Sequence, residues 1–379
     1  MSKSFVTVFN KLHFPVEVSG YTFLPFEEQT IHIETTSMAF RKIRSIKGLR
    51  LGKMNSPTWL LKKQSFPRYD FCMVYDSNQL KQGFAYQHAI EALANPILKY
   101  LPDGSCGYSH RPGVGLNLRF FSELRITQQG KFPVGPNDVF TSHGIGDKNY
   151  WLASKITSFR HALVPGPAWK ERIEEGGYEG TVHVVGYTKL DPLFNGDYVR
   201  QEREKPYVVW APTHGYIHKH KGRSSYPQCL TLINEIPDYY EKKLALHPTS
   251  RMNNRGKRDV TMQELLDADV VIADAGSTLY EAWALGKPVI FPDWLCKKDV
   301  IGNSKNDPGN LERRIYEEGI GYHARDMKHL VELIDVALKE GMQQPEIDFM
   351  ENIFPSELRG RSGEKAAEAL IKIREEVLG

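Results

Sequence analysis

At 379 residues the chain is long enough for two domains with separate cores. Hydrophobic residues at 41% and charged residues at 25% exclude a disordered chain, and a net charge of +3 excludes attraction to a polyanion except through local clustering. No apolar run approaches the ~18 residues of a membrane-spanning helix. The N-terminus, MSKSFVTVFNKLHF, lacks the apolar centre of a signal peptide. Cys72, Cys106, Cys229 and Cys296 form no CxxC pair and read as reduced thiols of a cytoplasmic protein.

Residues 1–34 differ in style from the rest. Phe5–Phe9, Val16–Val18 and Thr30–Glu34 are short and β-rich, which predicts a small β module. From Thr35 to Arg68 there is no acidic residue, while Arg41, Lys42, Arg44 and six further basic residues occur. That stretch is either a solvated basic surface or a docking surface for a polyanion such as nucleic acid or an anionic glycopolymer. Strands are expected at Phe71–Tyr75, from Leu116, at Asp138–Phe140, at Ala162–Val164 and at Val182–Val185, with a helix over Gln87–Tyr100. Strands alternating with helices predict a parallel, doubly wound sheet over residues 35–190.

Leu190 to Pro206 carries Pro, Gly, Asn and a charge run, as an interdomain linker does. A second such domain is expected over residues 206–355, with strands at Tyr207–Trp210, Lys243–Leu246, Val270–Ala273 and Val289–Phe291. Residues 356–379 hold a terminal helix with Ala366, Ala367, Leu370, Ile371 and Ile373 at helical spacing.

The densest chemical signal is Asp267–Trp294. Val270–Ala273 is a continuous apolar run, as a strand covered on both faces requires. Asp274, Ala275, Gly276, Ser277 and Thr278 then turn the chain into a helix whose exposed N–H groups and dipole suit a phosphate. Ser277 and Thr278 are the expected diphosphate contacts, and Glu281 is placed to reach ribose hydroxyls. Gly286, Lys287 and Pro288 end the helix before the next strand. His143 follows the strand end Val139-Phe140, where ligands of open α/β sheets bind, and precedes Gly144 and Gly146. Histidine supplies a base near neutral pH for deprotonating an alcohol, and Asp147 is placed to orient it or to act as the base itself. Thr213 and His214 end the strand Tyr207–Trp210 ahead of a basic run that reads as a loop closing on phosphates. His214, His218 and His220 lack a carboxylate or thiolate to complete a ligand set, so no metal is expected.

The Asp267–Trp294 segment resembles the nucleotide-binding half of GT-B-fold glycosyltransferases and of the related nucleotide-sugar epimerases. Four further segments resemble the CDP-glycerol glycerophosphotransferase branch of that fold: TSHGIGDK at Thr141–Lys148, VVGYTKLD at Val184–Asp191, VVWAPTH at Val208–His214 and LALHPTSR at Leu244–Arg251. The resemblance implies two Rossmann-like domains facing a cleft, a terminal helix crossing back to the first domain, and a hydroxyl acceptor on the first domain with His143 as base. It assigns His247 to the donor diphosphate, with Arg251 close enough to share it. No bound cofactor is implied: the nucleotide-diphosphate donor, a UDP-sugar on this reading, is a substrate. Asp274-Ala275-Gly276-Ser277 replaces the branch's usual Asp-Tyr-Ser-Ser, and with Glu281 this favours a nucleotide sugar over CDP-glycerol. The basic stretch favours a polyanionic acceptor, including hydroxymethylated bases in DNA. A 2-epimerase would need several acidic residues around the sugar, a set that cannot be placed here. A binding protein with a degenerate nucleotide site is the non-enzymatic alternative.

Overall fold

The computed structural model describes residues 4–10, 16–19, 21–23, 28–33, 42–43, 45–46, 49–51, 69–75, 84–109, 112–121, 134–142, 144–147, 156–213, 224–247 and 259–379. The N-terminal segment forms small antiparallel sheets. Strand β1 (Ser4–Asn10) pairs with β4 (Glu28–Ile33) and β5 (Leu49–Leu51), and β2 (Val16–Val18) pairs with β3 (Tyr21–Phe23).

The first parallel sheet contains β6 (Phe71–Tyr75), β7 (Cys106–Ser109), β8 (Leu116–Phe121), β9 (Asp138–Ser142), β10 (His161–Val164) and β11 (Thr181–Val184), in the order β11-β10-β9-β8-β6-β7. The second contains β12 (Tyr207–Ala211), β13 (Glu241–Leu244), β14 (Val270–Ala273), β15 (Val289–Pro292) and β16 (Tyr322–Ala324), in the order β13-β12-β14-β15-β16. Every pairing within these two sheets is parallel. All residues of β12, β14 and β15 are buried, which is why they read as unbroken apolar runs. The fold is thus two Rossmann-like domains of the GT-B kind with a β-rich N-terminal addition.

The principal helices are α1 (Phe84–Leu98), α2 (Pro167–Glu175), α3 (Asp259–Asp267), α4 (Ser277–Ala284), α5 (Asp293–Asn303), α6 (Leu311–Glu318), α7 (Met327–Glu340), α8 (Gln344–Ile353) and α9 (Ser362–Leu378). Among the described residues no helix is long and apolar enough to cross a membrane. Proline at the first position starts α2, where its missing N–H costs nothing. Asn310 and Asp326 cap α6 and α7 by accepting the N–H of Arg313 and His329. Helix α9 returns to the first domain and packs on α1. Its first turn is held there by the buried Asp191 carboxylate, which accepts the N–H of Ser362 (3.2 Å) and Gly363 (2.6 Å). The apolar core runs unbroken from one sheet to the other: Trp169 of α2 meets Tyr280 of α4 edge to face, centroids 6.4 Å apart.

Helix α9 also covers a histidine pair. His161 Nδ1 on β10 lies 3.4 Å from His183 Nε2 on β11, and Glu376 of α9 lies 3.8 Å from His161 Nε2. Burial lowers the pKa of both rings; Arg160 adds to this at His161, His161 and Lys372 add to it at His183, and Glu376 opposes it. A histidine depressed in the folded state binds protons more readily when unfolded. Its stabilising effect is therefore complete above the unfolded pKa of about 6.5 and is lost as the pH falls below it. Buried Asp191, Asp274 and Glu346 have raised pKa values and act in the opposite sense, so a difference measurement is needed. Between pH 7.5 and 5.5 the wild type should lose more urea resistance than a His161→Phe, His183→Phe double variant. Equal losses would show that the pair does not couple protonation to stability.

Candidate functional site

In the second sheet the strand order reverses between β12 and β14, the switch point outside which open α/β sheets bind ligands. Both strand ends are tied there by Asp274. Its fully buried carboxylate accepts the N–H of Thr213 (2.7 Å), Ser225 (2.6 Å) and Ala275 (2.8 Å), and the Ser225 hydroxyl (2.9 Å). Burial raises the Asp274 pKa, and these four donors oppose the rise. Thr213 is thereby fixed beside the glycine turn, and its carbonyl accepts the Ser224 hydroxyl (2.7 Å).

Gly276 takes φ 86°, a backbone conformation that a side chain would strain, and this lets the chain leave β14 and enter α4 at once. Ser277 and Glu281, four residues apart, share one face of α4. That face meets the first domain. Ser277 Oγ accepts the N–H of Gly146 (3.2 Å). Glu281 is 2% exposed, and its Oε1 accepts from Lys189 Nζ (2.5 Å) and Tyr187 Oη (3.1 Å). Thr278 is half-buried in the first turn of the same helix.

The loop after β9 supplies the opposing wall. His143 lies outside the described residues, as do His214, Arg251, Arg41 and Arg44; Lys42 is described and exposed. Ser142 donates its hydroxyl to the Gly144 carbonyl (2.7 Å). Gly146 lies so close to α4 that a Cβ there would stand 2.9 Å from Gly276 Cα. Asp147 is fully buried. Its Oδ2 accepts the N–H of Leu311 (3.0 Å) and lies 3.2 Å from Arg172 Nε, while Arg172 donates to Asp307 (2.7 Å). Asp147 therefore stands at the start of α6, linking the two domains. His247 is half-buried just past β13, the strand beside β12. A cavity of about 20 Å³, room for one water, lies at the carboxyl ends of the first sheet between Phe120, Thr141, Gly144, Val164 and Tyr187.

Four residues that shape this site were given no role by sequence reasoning. Tyr187 and Lys189 fall in the VVGYTKLD segment, whose spacing after β11 was the available signal. Arg172 and Glu312 carry none: Glu312 Oε1 accepts the N–H of both Gly276 (2.9 Å) and Asp147 (3.1 Å), contacts that only the tertiary fold creates.

No family model and no curated protein matches the sequence. Solved structures do match. The wall teichoic acid polymerase TagF superposes with a TM-score of 0.56 at 14% identity, covering 83% of this chain and 90% of that one. A TagF variant soaked with CDPG gives 0.53 at 14% identity over 82% and 90%. UDP-GlcNAc 2-epimerase from Methanocaldococcus jannaschii gives 0.41 at 12% identity over 80% and 99%. The chain shares its fold with TagF, a two-domain architecture of the GT-B type.

Proposed function

We propose that this chain is a GT-B-type glycosyltransferase acting on a nucleotide-diphosphate sugar. The carrying observation is the Gly276 turn and α4 N-terminus at the switch point of the second sheet, with Ser277 and Glu281 on one helix face. In this reading the diphosphate lies at the α4 N-terminus beside Thr213, Ser277 and Thr278, with His214, His247 and Arg251 supplying positive or hydrogen-bonding groups. Glu281 receives the ribose hydroxyls. The acceptor enters from the first domain, and His143 takes its hydroxyl proton as oxygen attacks the sugar's anomeric carbon. The bond to the nucleotide diphosphate breaks, and the leaving charge is stabilised by helix dipole and basic side chains. The acceptor is a hydroxyl compound, a polymer if the basic stretch around Arg41, Lys42 and Arg44 binds it, and the reaction is placed in the cytoplasm.

A second reading, transfer of glycerol phosphate from CDP-glycerol, is supported by the likeness to TagF. Calorimetric titration with UDP and CDP separates the two and tests the site. Glu281→Ala should weaken the preferred nucleotide about tenfold to a hundredfold, the loss of a hydrogen bond to a charged group. Because the substitution also removes the Lys189–Glu281 pair, Lys189→Met is the reference, and equal affinity of the two variants for both nucleotides would remove Glu281 from the donor site.

A further inference from the structure

Three of the groups that would receive a donor are engaged by the protein itself. The Gly276 N–H at the head of α4 is on Glu312 Oε1, which also holds the Asp147 N–H of the first domain. The Ser277 hydroxyl is taken by Gly146, and the Glu281 carboxylate by Lys189 and Tyr187. A carboxylate at a helix N-terminus answers the same partial positive charge that a phosphate would. The close approach of Gly146 to Gly276 leaves no space between the two loops for a diphosphate.

We propose that this seam is a latch: Glu312 and the Lys189–Glu281 pair hold the two domains shut over α4, and the nucleotide binds only when the seam opens. The inference rests on the donor reading above and concerns the regulation of that same site. Its physical basis is the burial of the charges. The Glu281 side chain is 2% exposed and that of Lys189 17%. Removing the lysine leaves a buried carboxylate with no ion-pair partner among the described residues, a state relieved by opening the seam and hydrating it. If the binding-competent form is a minor population, raising that population tightens apparent nucleotide affinity in proportion.

The test uses Lys189→Met and hydrogen exchange. The amides of Asp147 and Gly276 should exchange at least about tenfold faster than in wild type, those of Val271 and Ile272 in β14 should not change, and UDP or CDP should bind about tenfold more tightly. Unchanged exchange at the seam overturns the latch. So does weaker nucleotide binding than wild type, which would make Lys189 a donor contact. Faster seam exchange with no nucleotide binding by either protein leaves the latch standing and removes the nucleotide reading. Should β14 also exchange faster in Lys189→Met, Glu312→Gln keeps the side-chain shape, removes the charge and must produce the same changes.

Discussion

Asp274→Ala should destabilise the protein by about 3 kcal/mol or more, since each buried donor left unpaired costs roughly 1–3 kcal/mol. The substitution orphans the N–H groups of Thr213, Ser225 and Ala275 together with the Ser225 hydroxyl, which itself accepts from Trp210 Nε1 (3.0 Å). Asp274 is wholly buried, so these donors are out of reach of bulk solvent. Asp274→Asn keeps one acceptor oxygen and should lose less. Equilibrium urea denaturation measures both, and an Ala variant within about 1 kcal/mol of wild type would mean that the two strand ends are held by packing alone.

The largest effect on turnover is expected at His143. His143→Ala should lower the rate about a hundredfold or more while donor affinity stays within a few-fold, the behaviour of a general base. Asp147→Asn provides the contrast. Its carboxylate accepts the Leu311 N–H and faces Arg172, so its loss should appear as reduced stability. Steady-state kinetics beside thermal unfolding of both variants separate the roles. A near-silent His143→Ala with a stable but inactive Asp147→Asn would make Asp147 the base.

The sheet strands were legible because both their faces are covered: Val270–Ala273 and Tyr207–Trp210 show continuous apolar runs. Strand β7 was not, because Cys106-Gly107-Tyr108-Ser109 has neither an apolar run nor alternation and is defined by backbone pairing with β6. The charge run at 200–205 reads as a linker, yet its side chains grip the second domain. Arg203 pairs with Glu241 and Asp267 and lies over the Tyr207 ring, and Arg200 pairs with Asp269. Composition reports solvation and cannot say which acidic partner a basic residue will find. The turn at Gly276 was visible because local geometry demands a glycine there. The seam was not, because Gly146 meets Ser277 and Asp147 meets Leu311 across more than a hundred residues of chain. Glu281 was read as placed to reach ribose hydroxyls; its burial against Lys189 and Tyr187 was not legible, because those partners come from the other domain.

Co-crystallisation with UDP and with CDP tests the central claim most directly. The account predicts one nucleotide with its diphosphate at the N-terminus of α4, its ribose on Glu281, and the contacts of Glu312 with Asp147 and of Lys189 with Glu281 broken. A nucleotide bound elsewhere while those contacts persist, or no nucleotide bound at millimolar concentration, would contradict it.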